Sequence, residues 1–182
     1  MRVVSGSARG RKLVSPEGLD VRPTTDKVKE SMFNIIQFEL EGSSVLDLFA
    51  GSGQLGIEAL SRGAASAVFV DSSKKSLETV KSNLESTGFK PLAKTVNSDA
   101  FSFLSSCSAL FDIVFLDPPY EKKLCDKAFE LLPGVLKDTS TVICETRANE
   151  SLPDKVGTLE LYREYVYSAI KLSVYRAGED GE

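Results

Sequence analysis

Residues 45–56 read Val-Leu-Asp-Leu-Phe-Ala-Gly-Ser-Gly-Gln-Leu-Gly, an apolar run that meets an acid and then opens into glycines. Val45, Leu46, Leu48 and Phe49 form the short, nearly continuous apolar segment expected of a strand buried on both faces of a parallel sheet. Gly51, Gly53 and Gly56 fit G-x-G-x-x-G. The missing Cβ atoms there allow a tight turn, close approach of backbone to a ligand, and close packing of helix on strand. Leu55, Ile57, Ala59 and Leu60 continue as a largely apolar helix, with Gly63 placed to stop it. Dinucleotide sites share this spacing, so Asp47 decides the ligand. A carboxylate beside the glycine turn repels a pyrophosphate and suits a positively charged ligand, such as the ammonium of an amino-acid moiety.

A chain of 182 residues is most simply one domain, too short for two Rossmann halves plus a substrate domain, which weighs against a small NAD-linked oxidoreductase. Hydrophobic content of 42% with 26% charged residues is ordinary for a soluble protein. No apolar run approaches the ~20 residues of a membrane span. The start, MRVVSGSARGRK, has no apolar core of a signal peptide, so a cytoplasmic protein without a membrane partner is expected. Cys107, Cys125 and Cys144 form no C-x-x-C pair, and neither a zinc site nor a disulfide framework is expected. The absence of histidine removes Ser-His and Cys-His catalysis together with the commonest metal ligand. Proton handling falls to carboxylates, backbone or water, and no metal is expected.

The net charge of −4 divides unevenly, +3 over residues 1–30 and −7 over the rest. Arg2, Arg9, Arg11 and Lys12 stand without an acid among them, and Arg22 and Lys27 follow. Two readings stay open: an arm that touches phosphate, or a solvated basic terminus. Arg2–Ser7 and Arg11–Ser15 read as two short strands about a turn at Ala8-Arg9-Gly10. Thr24 or Thr25 caps a helix through Phe38, with Val28, Met32, Ile35, Ile36 and Leu40 on one face and Gly42 as its stop.

Beyond the glycine turn, strands are expected at Ala67–Val70, Leu92–Val96, Phe111–Leu116, Thr141–Cys144, Thr158–Tyr162 and Ala169–Tyr175, and helices at Ser73–Ser86, Phe101–Leu104 and Leu124–Leu136. Alternating β and α closed by an antiparallel C-terminal strand is an α/β fold: a mostly parallel, seven-stranded, Rossmann-like sheet with helices on both faces. Residues 1–20 form a basic N-terminal β-hairpin extension, 24–176 the core, and 177–182 a polar tail.

Ligands of such sheets bind at the carboxyl ends of the strands, and Asp47, Asp71, Asp99 and Asp117 stand at four of them. Asp71, 20 residues after Gly51, suits ribose hydroxyls. Asp99 and the Ala100 amide suit an adenine, or Asp99 is simply the N-cap of the next helix. Asp117-Pro118-Pro119-Tyr120 is a turn that two prolines make rigid.

The string D-L-F-A-G-S-G resembles motif I of class I S-adenosylmethionine-dependent methyltransferases, and D-P-P-Y resembles motif IV of those that act on exocyclic amines of bases. The resemblance implies that Asp47, Phe49, Ala50, Gly51, Ser52, Gly53, Gly56, Asp71, Asp99 and Ala100 hold S-adenosyl-L-methionine. It also implies catalysis at Asp117, Pro118, Pro119 and Tyr120. The Asp117 carboxylate and Pro118 carbonyl would accept the amine's hydrogens, and Tyr120 would offer a face for the base. With MRVVSGSARGRKL and RPTTDKVKE added, the chain resembles the bacterial 16S rRNA guanine-N2 methyltransferase family, RsmD. That resemblance implies methyl transfer to a guanine N2 of 16S rRNA in the small ribosomal subunit or its assembly intermediate, by a monomer. Arg2, Arg9, Arg11, Lys12, Arg22, Thr24 and Lys27 would be the RNA contacts. Gln54, Asp71 and Val166 depart from the family pattern. The alternatives are a methyltransferase of adenine or cytosine amines in DNA or another RNA, and a non-catalytic nucleotide-binding module or NAD-linked oxidoreductase.

Overall fold

Val45, Leu46, Phe69, Val70, Ile113, Val114 and Phe115 are all excluded from solvent, which places their segments in the middle of one sheet covered on both sides. The computed structural model describes residues 1–16, 25–119 and 124–177. In it β1 (Ser44–Asp47), β2 (Ser66–Asp71), β3 (Ala93–Asn97), β4 (Phe111–Leu116) and β5 (Leu136–Arg147) run parallel. β6 (Lys155–Val156), β7 (Leu159–Tyr167) and β8 (Ile170–Ala177) add antiparallel pairings, in the order β3-β2-β1-β4-β5-β8-β7-β6. The seven expected strands are therefore present among the described residues, and β6 makes an eighth at the edge. Two residues are too few to show the alternation that marks a strand in sequence.

Side-chain alternation sends Val45, Phe69, Ile113, Phe115 and Ile143 to one face, where α1 (Asp26–Ile35), α2 (Gln54–Ser61) and α3 (Lys74–Thr87) pack. Leu46, Val70, Val114, Leu116 and Cys144 meet α4 (Ala100–Ser106) and α5 (Leu124–Leu131) on the other. Thr25 caps α1, its hydroxyl accepting the Val28 N–H. The helix ends at Ile35, short of the expected Phe38, whose ring is 93% exposed. The Ile35 carbonyl there takes the Arg176 guanidinium at 2.9 Å. Likewise α5 stops before the expected Leu136 because Pro133 brings no N–H; a 3-10 turn over Leu132–Val135 follows.

The expected N-terminal hairpin is present in a short form: Arg2 and Lys12 make an antiparallel bridge, and the Val3, Gly10 and Leu13 N–H groups donate to the Arg11, Val3 and Met1 carbonyls at 2.9, 2.9 and 3.1 Å. Further backbone donors of the arm go to α2. Val4 and Ser5 donate to the Glu58 carboxylate at 2.8 and 2.9 Å, Ser7 to the Ser61 carbonyl and Ala8 to the Ser61 hydroxyl. Val3, Ala8 and Leu13 join the core, so the arm is packed onto α2 and α3. Among the described residues no helix is long and apolar enough to cross a membrane.

Candidate functional site

Asp47 ends β1 with 2% of its surface exposed. Gly53, the N-cap of α2, has no side chain to offer, and the Asp47 carboxylate takes that role by accepting the Gly56 N–H at 2.9 Å. Burial pushes the Asp47 carboxyl up to about 7; the Gly56 N–H opposes this and neighbouring Asp71 adds to it. A Cβ on Gly56 would lie 2.3 Å from Phe69 Cε1, so only glycine lets α2 approach β2 this closely. Gly51 lies at φ +55°, and a Cβ there would meet nothing nearer than the Phe49 carbonyl at 4.0 Å. That open side is where a ligand can reach the backbone.

The other acids gather around this turn. Asp71 accepts the Gly51 N–H at 2.9 Å through one oxygen and the Ser73 N–H at 2.8 Å through the other, which fixes its carboxylate against the glycine loop. Asp99 is exposed and caps α4, its Oδ1 accepting the Ser102 N–H at 3.0 Å. Hydrogen bonding to Ser102 keeps its carboxyl below the usual value. Ala100 beside it is buried. Phe49 is half-buried; Ala50 and Ser52 are buried, with the Ser52 hydroxyl on Met1 Sδ and its carbonyl on Asn83 Nδ2. Gln54, at the first turn of α2, keeps a buried side-chain oxygen without a partner among the described residues.

β4 lies beside β1 in parallel, with Asp47 opposite Phe115, so Asp117 follows the strand end next to the glycine turn. Burial first, then the Glu145 and Asp47 charges, hold the Asp117 carboxyl well above its ordinary range. Pro118 is buried and Pro119 exposed. Tyr120, Arg22 and Thr24 lie outside the described residues, as do 17–20 of the arm and 178–182 of the tail. Arg2, Arg9, Arg11, Lys12 and Lys27 present exposed side chains, Arg2 in a surface pair with Asp26. Lys29, one of the cations behind the positive charge of residues 1–30, is fully buried, 3.7 Å from Glu58 and bonded to the Arg2 carbonyl. It is a structural cation, not an RNA contact.

Sequence reading missed Glu145 and Glu58. Glu145, 2% exposed, adjoins Asp117 across the β4–β5 pairing. The acid directly after the Thr141–Cys144 apolar run was its signal. Glu58 had one as well, a lone acid inside an apolar helix. Acids gathered at a glycine turn, next to a rigid pair of acceptors, can hold a cationic nucleoside and orient an amine beside it.

The family model described as Conserved hypothetical protein 95 matches residues 1–176. The Bacillus subtilis protein YlbH is 40% identical over 181 residues, spanning 97% of this chain and 98% of that one. The Escherichia coli protein named ribosomal RNA small subunit methyltransferase D is 36% identical, spanning 100% of this chain and 92% of its own. A solved Escherichia coli structure superposes with a TM-score of 0.87 at 37% identity, covering 98% of this chain and 99% of that one.

Proposed function

We propose a function from the premise that this chain belongs to the Conserved hypothetical protein 95 family, the RsmD family of small-subunit ribosomal RNA methyltransferases: it methylates the N2 amine of a guanine in 16S rRNA. One observation carries the reading. The glycine turn after β1 and the Asp117-Pro118 turn after β4 end neighbouring parallel strands at the same edge of the sheet. A methyl donor on the first turn and an amine on the second are thereby brought together. The non-catalytic and NAD-linked alternatives fall with family membership, and the acid at Asp47 favours a cation over a pyrophosphate.

S-adenosylmethionine supplies an electrophilic methyl on a sulfonium, and its residues here are those of the glycine turn, Asp47, Asp71 and Asp99. Asp47 meets the ammonium, Asp71 the ribose, and Asp99 with Ala100 the adenine. The guanine amine is a poor nucleophile because its lone pair is delocalised into the ring. Accepting its hydrogens at the Asp117 carboxyl and the Pro118 carbonyl turns that lone pair toward the methyl. A neutral carboxyl still has an accepting oxygen, so a raised Asp117 is compatible with the role. Tyr120 provides the stacking face. RNA meets Arg2, Arg9, Arg11, Lys12, Arg22, Thr24 and Lys27, on the small subunit or its assembly intermediate, where a cytoplasmic monomer works.

The test uses small subunits from a strain lacking the gene, incubated with the protein and S-adenosylmethionine. Nucleoside mass spectrometry should show N2-methylguanosine appear. Asp117→Ala should slow single-turnover transfer about a hundredfold or more, while Asp117→Asn, which keeps an accepting oxygen, retains much of the rate. Near-native rates for Asp117→Ala would overturn the assignment.

A further inference from the structure

We propose that Glu145 reads the N1–H of the target base and so makes this site select guanine over adenine and cytosine; the inference rests on the methyl-transfer reading above. Pairing of β4 with β5 ends at Leu116 and Cys144, which makes Asp117 and Glu145 the next residues on adjacent parallel strands. Neighbouring strands stand about 4.8 Å apart. Alternation along β5 carries Glu145 to the face of Ile143, and Asp117, just past the end of β4, lies close enough to feel the charges of both Glu145 and Asp47. Two acids thus lie side by side at the catalytic turn, and Glu145 is 2% exposed. Two acids side by side offer more accepting positions than one amine has hydrogens, so a further donor on the base can be met there.

Guanine brings such donors. Its N1–H lies beside the N2 amine, so three hydrogens point from one edge of the ring. The amine's pair falls to Asp117 and Pro118, and the N1–H to Glu145. Adenine and cytosine instead present a ring-nitrogen lone pair beside the amine, which faces the Glu145 carboxylate unfavourably. A carboxylate offers about four lone-pair sites, so bonds Glu145 makes to the rest of the protein leave room for this one. Asp117 alone cannot discriminate, because all three bases carry an exocyclic amine.

The probe is 2-aminopurine riboside, which keeps the reactive amine of guanosine but has an unprotonated N1. Small subunits are reconstituted with 16S rRNA carrying either nucleoside at the guanine located by mass spectrometry of nuclease fragments of the methylated rRNA, and single-turnover transfer is compared. Wild type should prefer guanosine by about a hundredfold or more, the scale on which sites built to hydrogen-bond a group reject its absence. In Glu145→Gln the amide either donates to the bare N1 or accepts from N1–H, and the preference should shrink at least about tenfold. Because each preference is a ratio within one protein, partial misfolding of a variant cancels. Equal rates of wild type on the two nucleosides, or a variant ratio equal to that of wild type, would overturn the role of Glu145. Transfer to neither nucleoside by wild type would instead sink the methyl-transfer reading and take this inference with it.

Discussion

Asp47 joins three facts in one side chain: it ends β1, caps α2 through Gly56, and has a carboxyl pushed up to about 7 by burial. Since the folded value exceeds the ordinary 3.8, the stability it contributes is present at low pH and is lost as pH rises through about 7. A cationic ligand favours the ionised form. Affinity for S-adenosylmethionine should therefore climb between about pH 5.5 and about 7, and Asp47→Asn should bind more weakly with a flatter profile. Asp47→Ala should lose roughly 1.5 to 3 kcal/mol, the scale of a hydrogen bond to a charged group. Calorimetry across that range is the check; a flat wild-type profile would remove Asp47 from the ligand. This residue was legible in the sequence because its signal, an acid four positions before Gly51, is local. Glu145 carries a similar mark after Cys144, but its proximity to Asp117 comes from strand pairing 28 residues apart in the chain, which no local pattern encodes.

At the scale of elements, the parallel strands were readable because each is a short apolar run with a polar residue at its carboxyl end, and the helices because their caps and stops are local. Ser73 caps α3, and Gly88 ends it in the left-handed region. The hairpin of the arm was readable as well, from its turn at Ala8-Arg9-Gly10, but its anchoring was not. Its Val4, Ser5 and Ala8 N–H groups go to Glu58 and Ser61 of α2, more than fifty residues away, a pairing that no local pattern encodes. Asn83 of α3 holds both the Val14 N–H and carbonyl, and also the Ser52 carbonyl, so the same amide touches arm and glycine loop. Glu58 is the central tether, since it takes two arm N–H groups, lies 3.7 Å from buried Lys29 and bonds Arg62 at 2.9 Å. Burial already lowers the Lys29 pKa, with Glu58 acting in the opposite direction. Glu58→Ala should therefore destabilise the fold by about 3 to 5 kcal/mol, the cost of leaving a buried charge without its partner. The urea midpoint measures it, and a loss under about 1 kcal/mol would show that Lys29 deprotonates or finds water at little cost.

Over the whole molecule, the uneven charge and the anchored arm bear on the same interaction. The arm buries Val3, Ala8 and Leu13 and leaves Arg9, Arg11 and Lys12 facing outward, so its cations are held on a fixed surface. The rest of the chain carries −7, which repels phosphate and is the reason the arm is proposed to meet RNA. Arg9→Glu with Arg11→Glu should weaken binding to small subunits, and the slope of log affinity against log salt should fall by about 0.7 to 0.9 for each phosphate that is no longer neutralised. Both side chains are exposed, so unfolding free energy should stay within about 0.5 kcal/mol of wild type. Affinity for S-adenosylmethionine should hold as well, because neither residue belongs to the glycine turn. That pattern separates an RNA-holding arm from a structural one: damage to the tether at Glu58 lowers stability, whereas charge reversal at the tip changes only the salt dependence and the affinity for RNA. An unchanged slope in the double variant would mean that these arginines are solvated and that phosphate is met elsewhere.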